Sequence, residues 1–162
     1  MTLPAPWRRA LLLVHVTSAV GLVGAVAGFL ALALAGAGGD VGVYGAMRLL
    51  TVEVIVPLAA ASLVVGVASS LLTPWGLLRH YWVIAKLGLT AIAVLVLLLQ
   101  LPTISGLAEA AARGSLAGET GGQLAMIVHA AGGLVVLVLA TLLSVYKPRG
   151  LTRRGLRAGA AG

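Results

Sequence analysis

Four apolar runs, each of at least about 20 residues, most constrain how this chain can fold. They cover about Ala10–Ala35, Leu49–Leu72, Tyr81–Leu101 and Leu124–Tyr146. A helix needs about 20 consecutive apolar residues to cross the hydrocarbon core of a bilayer. Inside that core only helices and closed barrels satisfy their own backbone polar groups. The runs therefore predict an all-α, four-helix transmembrane bundle that occupies residues 1–146 as a single domain.

Composition supports a membrane protein and excludes several kinds of chemistry. Of the 162 residues, 60% are hydrophobic and 9% are charged, whereas a soluble domain has about 25% charged residues. The chain has no cysteine, which excludes disulfides, thiolate metal sites and thiol nucleophiles. No nucleophile elbow, phosphate loop or HExxH metal motif occurs in the sequence. A copper site has little support, because the three methionines form no cluster.

Positive charge lies mainly on one side of the predicted membrane. Eight of the eleven Lys and Arg residues flank that side: Arg8, Arg9, Arg79, Lys147, Arg149, Arg153, Arg154 and Arg157. Only Arg48 and Arg113 lie on the other side. The positive-inside rule therefore places both termini in the cytoplasm of a multi-pass protein of the plasma membrane. The basic tail, residues 147–162, is predicted to be disordered and to contact anionic lipid rather than nucleic acid.

Two further segments carry local signals of their own. The first run begins after two arginines and contains Ala25–Ala27, which is similar to a signal-peptidase site. It continues to Ala35, however, and so exceeds the 7–15 apolar residues that are typical of a signal peptide. We therefore expect it to be a retained first span. In the connector before the fourth run, Leu107–Arg113 is predicted to form a short surface helix.

Small residues predict which helix faces pack, because helices in lipid associate where their backbones approach closely. Three spans carry such residues at helical spacing. The stripes are Thr17, Gly21, Gly24 and Gly28 in the first span, Ala59, Ser62, Gly66, Ser69 and Thr73 in the second, and Ala130, Gly133, Ala140 and Ser144 in the fourth. They indicate either packing within one bundle or contact with an identical subunit, and the pattern does not distinguish a monomer from a homo-oligomer.

Four ionisable residues within the spans are the candidate site residues, because such residues are rare in membranes without a function. At a rise of 1.5 Å per residue, His15 and Lys86 are expected at similar depth near the cytoplasmic side. Glu53 and His129 are expected near the outer side, about 10–15 Å away along the membrane normal. A direct salt bridge between Glu53 and Lys86 is therefore not expected.

Angular position at 100° per residue adds a prediction about orientation. Lys86 shares its helix face with polar and amphipathic residues, so that this face is predicted to point into the bundle: Trp82, Thr90, Ala93 and Gln100. His129 lies on the packing side of its helix, whereas His15 and Glu53 lie nearly opposite the small-residue stripes. Simpler roles stay open: snorkelling for Lys86, a protonated carboxyl or a pair with His129 for Glu53, and structural hydrogen bonds for the histidines.

The chemistry of these groups suggests a cofactor site. Neutral imidazole is an axial ligand of haem iron and a common ligand of copper and zinc. A single-histidine site at His15 fits the predicted depths, with Lys86 neutralising a haem propionate or a carboxylated substrate. A bis-histidine site that also uses His129 is disfavoured, because the two rings are expected at different depths.

Several motifs together resemble a known family. They are LLLVHVTSAVGLVGAVAGFLALAL, VPLAAASLVVGV, TPWGLLRHYWVIAKLGLT and SVYKPRG. The chain resembles small four-helix integral membrane proteins of actinobacteria, and is more distantly similar to CopD-like copper-resistance proteins and HemJ-like protoporphyrinogen oxidases. On that resemblance His15 matches the histidine implicated in haem binding, and Lys86 matches the lysine of a W-x-x-x-K-L segment. In the first helix only Phe29 matches the arginine and aromatic residues of the HemJ-like proteins, so the resemblance does not imply oxidase activity.

The leading hypothesis from the sequence is a membrane protein that binds haem b or a porphyrin, with redox activity as one form of that function. Its candidate residues are His15 as iron ligand, Lys86 as propionate partner and, with less support, His129. One alternative is a small oligomeric proton-coupled transporter that uses Glu53 and His129. The other is a non-catalytic membrane scaffold. The sequence itself assigns no catalytic residue.

Overall fold

Long helices form the whole of the described structure, a computed structural model that covers residues 4–72, 77, 79–116, 118–148 and 150–152. The helices are α1 (Ala5–Ala37), α2 (Val43–Leu50), α3 (Val56–Leu72), α4 (Tyr81–Ala112) and α5 (Thr120–Tyr146). A π-helical turn, Thr51–Ile55, joins α2 to α3, so that Val43–Leu72 is one continuous span. Within the described residues, four helices are long and apolar enough to cross a membrane. The predicted all-α, four-span fold is confirmed.

Consecutive spans are neighbours in the bundle. The span α2–α3 packs against α1 and α4, and α5 also packs against α1 and α4. The bundle is therefore of the up-down-up-down type, in which short connections join antiparallel neighbours. As a consequence α1 and α4 lie diagonally across the bundle. We call the end at which α1 begins and α5 ends the terminal end, and the other the opposite end.

The outer surface of the bundle is apolar. Large aliphatic side chains such as Leu13, Val20, Leu99 and Val145 are each about two-thirds exposed. A soluble monomer rarely exposes a contiguous apolar surface of this extent, whereas lipid tails cover it without cost. The buried core is narrow and is formed mainly by Leu22, Phe29, Met47, Ile55, Ile104, Leu107 and Met126.

The third span is longer than the sequence predicted. α4 continues through Pro102 to Ala112, so the prediction of a separate surface helix over Leu107–Arg113 is wrong. Ile104, Leu107 and Ala110 recur on one face and are buried. Leu107 also packs on the start of α5, because a Cβ added to Gly122 would lie 3.4 Å from its Cδ2. This packing outweighs the hydrogen bond that Pro102 removes from the helix.

The π-helical turn lies immediately before a proline. The N–H of Val56 donates to the carbonyl of Thr51, five residues earlier. Pro57 has no N–H, and in a regular α-helix its ring would clash with the carbonyl of Glu53. Local π geometry is one way in which a membrane helix accommodates a proline. The turn therefore follows from Pro57, and it sets the rotation of α2 relative to α3.

The small-residue stripes have two different outcomes. On α3 and α5 they lie on packed faces, with Ala59, Ser62, Ala130 and Ala140 buried, as predicted. Thr73 lies outside the described residues. On α1 the stripe divides: a Cβ added to Gly21 would lie 3.3 Å from the Cδ1 of Leu58 on α3, whereas one added to Gly24 or Gly28 would meet nothing within 4 Å, so that this part faces outward. The packed face of α1 is instead Ser18, Leu22, Phe29, Ala33 and Gly36. Contact of the outward stripe with a second subunit stays a prediction.

Backbone pairing joins two segments at the terminal end. The N–H of Thr152 donates to the carbonyl of Arg79 at 3.0 Å, and the N–H of Tyr81 donates to Gly150 at 3.4 Å. An isolated antiparallel bridge links His80 with Leu151. The first residues after α5 are thereby held against the start of α4. Arg149 and residues 153–162 lie outside the described residues, so tail disorder and lipid contact stay predictions.

Candidate functional site

His15 and Lys86 meet across the diagonal of the bundle. The Nζ of Lys86 lies 3.4 Å from the Nε2 of His15, which joins α4 to α1 near the terminal end. Both side chains are half-buried. The sequence placed these residues at the same depth, and this geometry agrees with that prediction. His15 points inward because it lies on the packed face of α1, three residues before the buried Ser18 and seven before Leu22.

The imidazole ring of His15 also packs on the second span. A Cβ added to Gly66 would lie 3.0 Å from the Cε1 of His15, so a larger residue at this position would press on the ring. The backbone of Ser62 is a further neighbour of the ring, while the buried Nδ1 has no partner of good hydrogen-bond geometry within the described residues. If the ammonium group of Lys86 donates to Nε2, the ring proton is on Nδ1. Contacts from α3 and α4 thus fix the orientation of the His15 ring on α1.

No carboxylate accompanies Lys86 within the described residues. The four acidic residues of the chain are Asp40, Glu53, Glu109 and Glu119. Asp40 and Glu119 lie in turns at the opposite end, and Glu109 lies 23 positions beyond Lys86 on the same helix, which corresponds to about 35 Å. Glu109 pairs with Arg113 at 3.6 Å. The ammonium group is therefore a half-buried charge with a neutral histidine as its polar partner.

A second polar pair joins α4 to α5. The Nε2 of Gln100 lies 3.1 Å from the Nε2 of His129. The Nδ1 of His129 lies 2.6 Å from the carbonyl oxygen of Ala125. Because a carbonyl can only accept, the proton of neutral His129 is on Nδ1, and Nε2 accepts from the Gln100 amide. The other amide atom, Gln100 Oε1, is buried and has no partner within the described residues.

Glu53 does not join this pair. It lies on the π-helical turn with its side chain exposed on the outside of the bundle. Among the described residues, His129 makes its side-chain hydrogen bonds with Gln100 and Ala125. The combined Glu53–His129 site that the sequence suggested is therefore not formed, because the two residues occupy different faces. Gln100 was not singled out as a site residue, although its position on the face of Lys86 was a signal for it.

A partly open cavity of about 300 Å³ lies between the spans. Its walls are mainly apolar and include Leu22, Phe29 and Ile55. The polar residues that line it are Thr51, Thr90, Gln100 and His129. Thr51 and Thr90 donate their hydroxyl hydrogens to the carbonyls of Met47 and Lys86, so neither adds a free donor. The Gln100–His129 pair is therefore the polar feature of an otherwise apolar wall.

This arrangement does not fit a haem on His15. His15 and Lys86 do not line the cavity, and Lys86 already occupies the Nε2 of His15. Pockets for small ligands span about 300–1,000 Å³, so the cavity is at the lower limit of that range and a porphyrin exceeds it. Among the described residues, no group of three His, Cys, Asp or Glu residues could hold a metal ion. Haem binding stays a prediction from the resemblance.

No protein-family model, no curated protein and no solved structure matches the chain. The similarity to CopD-like and HemJ-like proteins therefore stays a prediction from the short motifs. The described residues show the fold alone, which has four helices that could each cross a membrane.

Proposed function

We propose that this four-span integral membrane protein binds a small, mainly apolar, hydroxyl-bearing molecule from the lipid phase in the cavity beside Gln100 and His129. One observation carries the proposal: apart from two threonines whose hydroxyls donate to backbone carbonyls, the wall of the cavity is apolar except where it presents the Gln100–His129 pair. An apolar pocket with a few convergent polar groups is the usual form of a small-molecule site.

The hydrogen-bond arrangement favours a ligand that donates. His129 uses both ring nitrogens, one to Ala125 and one to Gln100. The amide nitrogen of Gln100 is also used, which leaves its Oε1 as an unpaired acceptor. An unsatisfied buried polar group costs about 1–3 kcal/mol. A ligand hydroxyl removes this penalty by donating to Oε1 when the buried amide turns towards the cavity that Gln100 lines. An aldehyde or ketone cannot donate and does not remove it.

The surroundings of the cavity suit entry from the bilayer. His129 is exposed at the outside of the bundle, next to α4. The cavity is partly open and its lining is apolar. Because the outer surface is covered by lipid, an apolar ligand reaches the site without crossing water. Hydrogen bonding and packing then provide the selectivity, since lipid tails are as apolar as the cavity wall.

A matched pair of probes tests the proposal. We expect 4-tert-butylphenol to bind the purified protein in dodecyl maltoside at least about tenfold more tightly than tert-butylbenzene, because only the phenol donates a hydrogen bond. Isothermal titration calorimetry measures both affinities. Equal affinity for the two probes would contradict the assigned role of Gln100.

Cavity-filling variants locate the binding event. Ala93→Leu places a larger side chain in the cavity lining, whereas Ala91 is exposed and lies outside that lining. We expect Ala93→Leu to abolish phenol binding and Ala91→Leu to leave it unchanged. Binding that survives Ala93→Leu at full strength would place the ligand elsewhere and refute the proposal.

The other functions suggested by the sequence have less support from the geometry. A proton-linked transporter relied on Glu53 and His129 together, and these residues do not meet. Haem or porphyrin binding relied on His15, whose Nε2 contacts Lys86 at 3.4 Å. A scaffold relied on small-residue faces, and on α1 only Gly24 and Gly28 of that stripe have no neighbour within 4 Å of an added Cβ in this bundle.

A further inference from the structure

We infer that Lys86, held in place by His15, forms a binding site for an oxyanion, a phosphate or carboxylate group, at the terminal end of the bundle. The site is separate from the cavity, since neither residue lines it. The inference does not depend on the ligand proposed for Gln100 and His129.

Charge balance is the first argument. A cation within a membrane span is normally paired with a carboxylate or with backbone carbonyls. Lys86 has neither among the described residues, where the Nε2 of His15 is its side-chain partner. The acidic residues of the chain lie towards the opposite end and do not reach it. Within the described residues no counter-charge reaches Lys86, and an external anion would provide one.

The hydrogen-bonding capacity of Lys86 is the second argument. An ammonium group has three donors and no acceptor. His15 accepts from one of them and leaves two without a partner in the described chain. Lys86 is half-buried rather than enclosed, so a group from outside can reach those donors. Two donors on a fixed cation match the two or more oxygens of a phosphate or carboxylate.

The position of the site is the third argument. Lys86 lies about one and a half turns inside α4, four residues after Trp82. Tryptophan is typical of the level at which lipid headgroups begin. Basic pockets between membrane helices at the cytoplasmic side are known to hold anionic headgroups. A phosphate on an acyl or alkyl chain would place its oxygens at this depth and its tail along the apolar surface.

His15 is a positioning residue in this site. Its ring is wedged between Gly66 and Lys86, so it directs the ammonium group to the inside of the bundle. Without the ring, the flexible lysine stem is free to extend towards the aqueous surface. His15→Phe keeps an aromatic ring between Gly66 and Lys86 but removes the acceptor nitrogen. We expect this change to weaken oxyanion binding less than loss of the Lys86 charge does.

Titration with two phosphates tests the site and its source. Dodecyl phosphate represents a lipid headgroup, and inorganic phosphate represents a soluble ion. In dodecyl maltoside micelles we expect dodecyl phosphate affinity to fall about tenfold or more in Lys86→Met and to be retained in Lys86→Arg. Arg8→Met, which removes the same charge at the same end of the bundle, is the matched control and should bind as the wild type does.

Selective isotope labelling detects phosphate binding at Lys86 without replacing this lysine by an uncharged residue. The chain has two lysines, Lys86 and Lys147, so ¹⁵N-lysine labelling gives two side-chain signals, which Lys147→Arg assigns. Dodecyl phosphate should shift the Lys86 signal selectively. An equal shift with inorganic phosphate would assign the site to a soluble oxyanion. An unmoved Lys86 signal, or equal loss of affinity in Lys86→Met and Arg8→Met, would overturn the inference.

Discussion

Gly66 lies directly against the imidazole ring of His15, and a Cβ at position 66 would stand 3.0 Å from the Cε1 of that ring. The same ring contacts Lys86 on its other side, through Nε2. A glycine on α3 therefore determines whether α1 and α4 can meet across the bundle. This links the small-residue stripe of the second span to the polar pair of the first and third spans.

Gly66→Ala should destabilise the protein by about 1–3 kcal/mol, because the added methyl group overpacks the contact with His15. The free energy of unfolding can be measured by titration of sodium dodecyl sulfate into dodecyl maltoside micelles. Gly88→Ala is the matched control, since a Cβ there meets nothing within 4 Å. His15→Ala should remove most of the penalty of Gly66→Ala. A penalty that persists in the double variant would show that His15 is not its cause.

The hydrogen bond between Gln100 and His129 should give a measurable coupling energy. We expect a double-mutant cycle with Gln100→Leu and His129→Leu to yield about 0.6–1.7 kcal/mol, the range of interhelical hydrogen bonds in membranes. Each single variant leaves one buried polar group without its partner. The two single losses of unfolding free energy should therefore sum to more than the loss in the double variant. Additive effects on the free energy of unfolding would indicate that the two side chains do not interact.

The sequence predicted the features that depend on distance along a helix. Four apolar runs determined the spans, and counting residues from the helix ends placed His15 and Lys86 at one depth. Helix rotation was harder to predict, because a proline or a π-helical turn changes it without changing the hydropathy of a span. Glu53 lies on that turn and faces outward, in agreement with its predicted position nearly opposite the small-residue stripe, and the pair with His129 that the sequence left open is not formed.

Packing explains the remaining differences. Glycines on α1 predicted a packed stripe, yet larger residues such as Leu22 and Phe29 fill the core on the other face. Pro102 marked the expected end of the third span, yet the buried contacts of Ile104 and Leu107 continue the helix beyond it. The sequence showed that Gln100 is polar, but its pairing with His129 depends on how α4 and α5 face each other.

Amide hydrogen exchange should reveal the backbone pairing at the terminal end. The N–H groups of Thr152 and Tyr81 donate to Arg79 and Gly150, so both should exchange more slowly than the unpaired amides of a free tail. Truncation after Tyr146 should speed exchange at Tyr81, because its acceptor is then removed. Truncation after Thr152 is the control and should leave it unchanged. Equal exchange at Tyr81 in both truncated proteins would contradict the pairing.

Absorption spectroscopy tests whether His15 binds haem iron. Because Lys86 occupies the Nε2 of His15 and the cavity lies elsewhere, we expect haem reconstitution to give no Soret band that depends on His15. Spectra of oxidised and dithionite-reduced samples of the wild type and His15→Ala provide the measurement. A Soret band that is present in the wild type and lost in His15→Ala would instead support an iron ligand at this position.

Pro57→Ala should weaken ligand binding by changing the shape of the cavity. With alanine at this position an N–H becomes available to the carbonyl of Glu53, and the π-helical turn can relax to a regular α-helix. Because a π turn holds one residue more than an α turn, its relaxation would rotate α2 relative to α3 by roughly 100°. Thr51 and Ile55, which line the cavity, would then move relative to Gln100.

The variant should therefore bind 4-tert-butylphenol more weakly than the wild type does. Pro102→Ala is the matched control, because Pro102 is also inside a span but lies outside the cavity lining. It should raise stability without loss of phenol affinity. If Pro57→Ala binds the phenol as tightly as Pro102→Ala does, the turn does not shape the cavity, and its geometry follows from the proline alone.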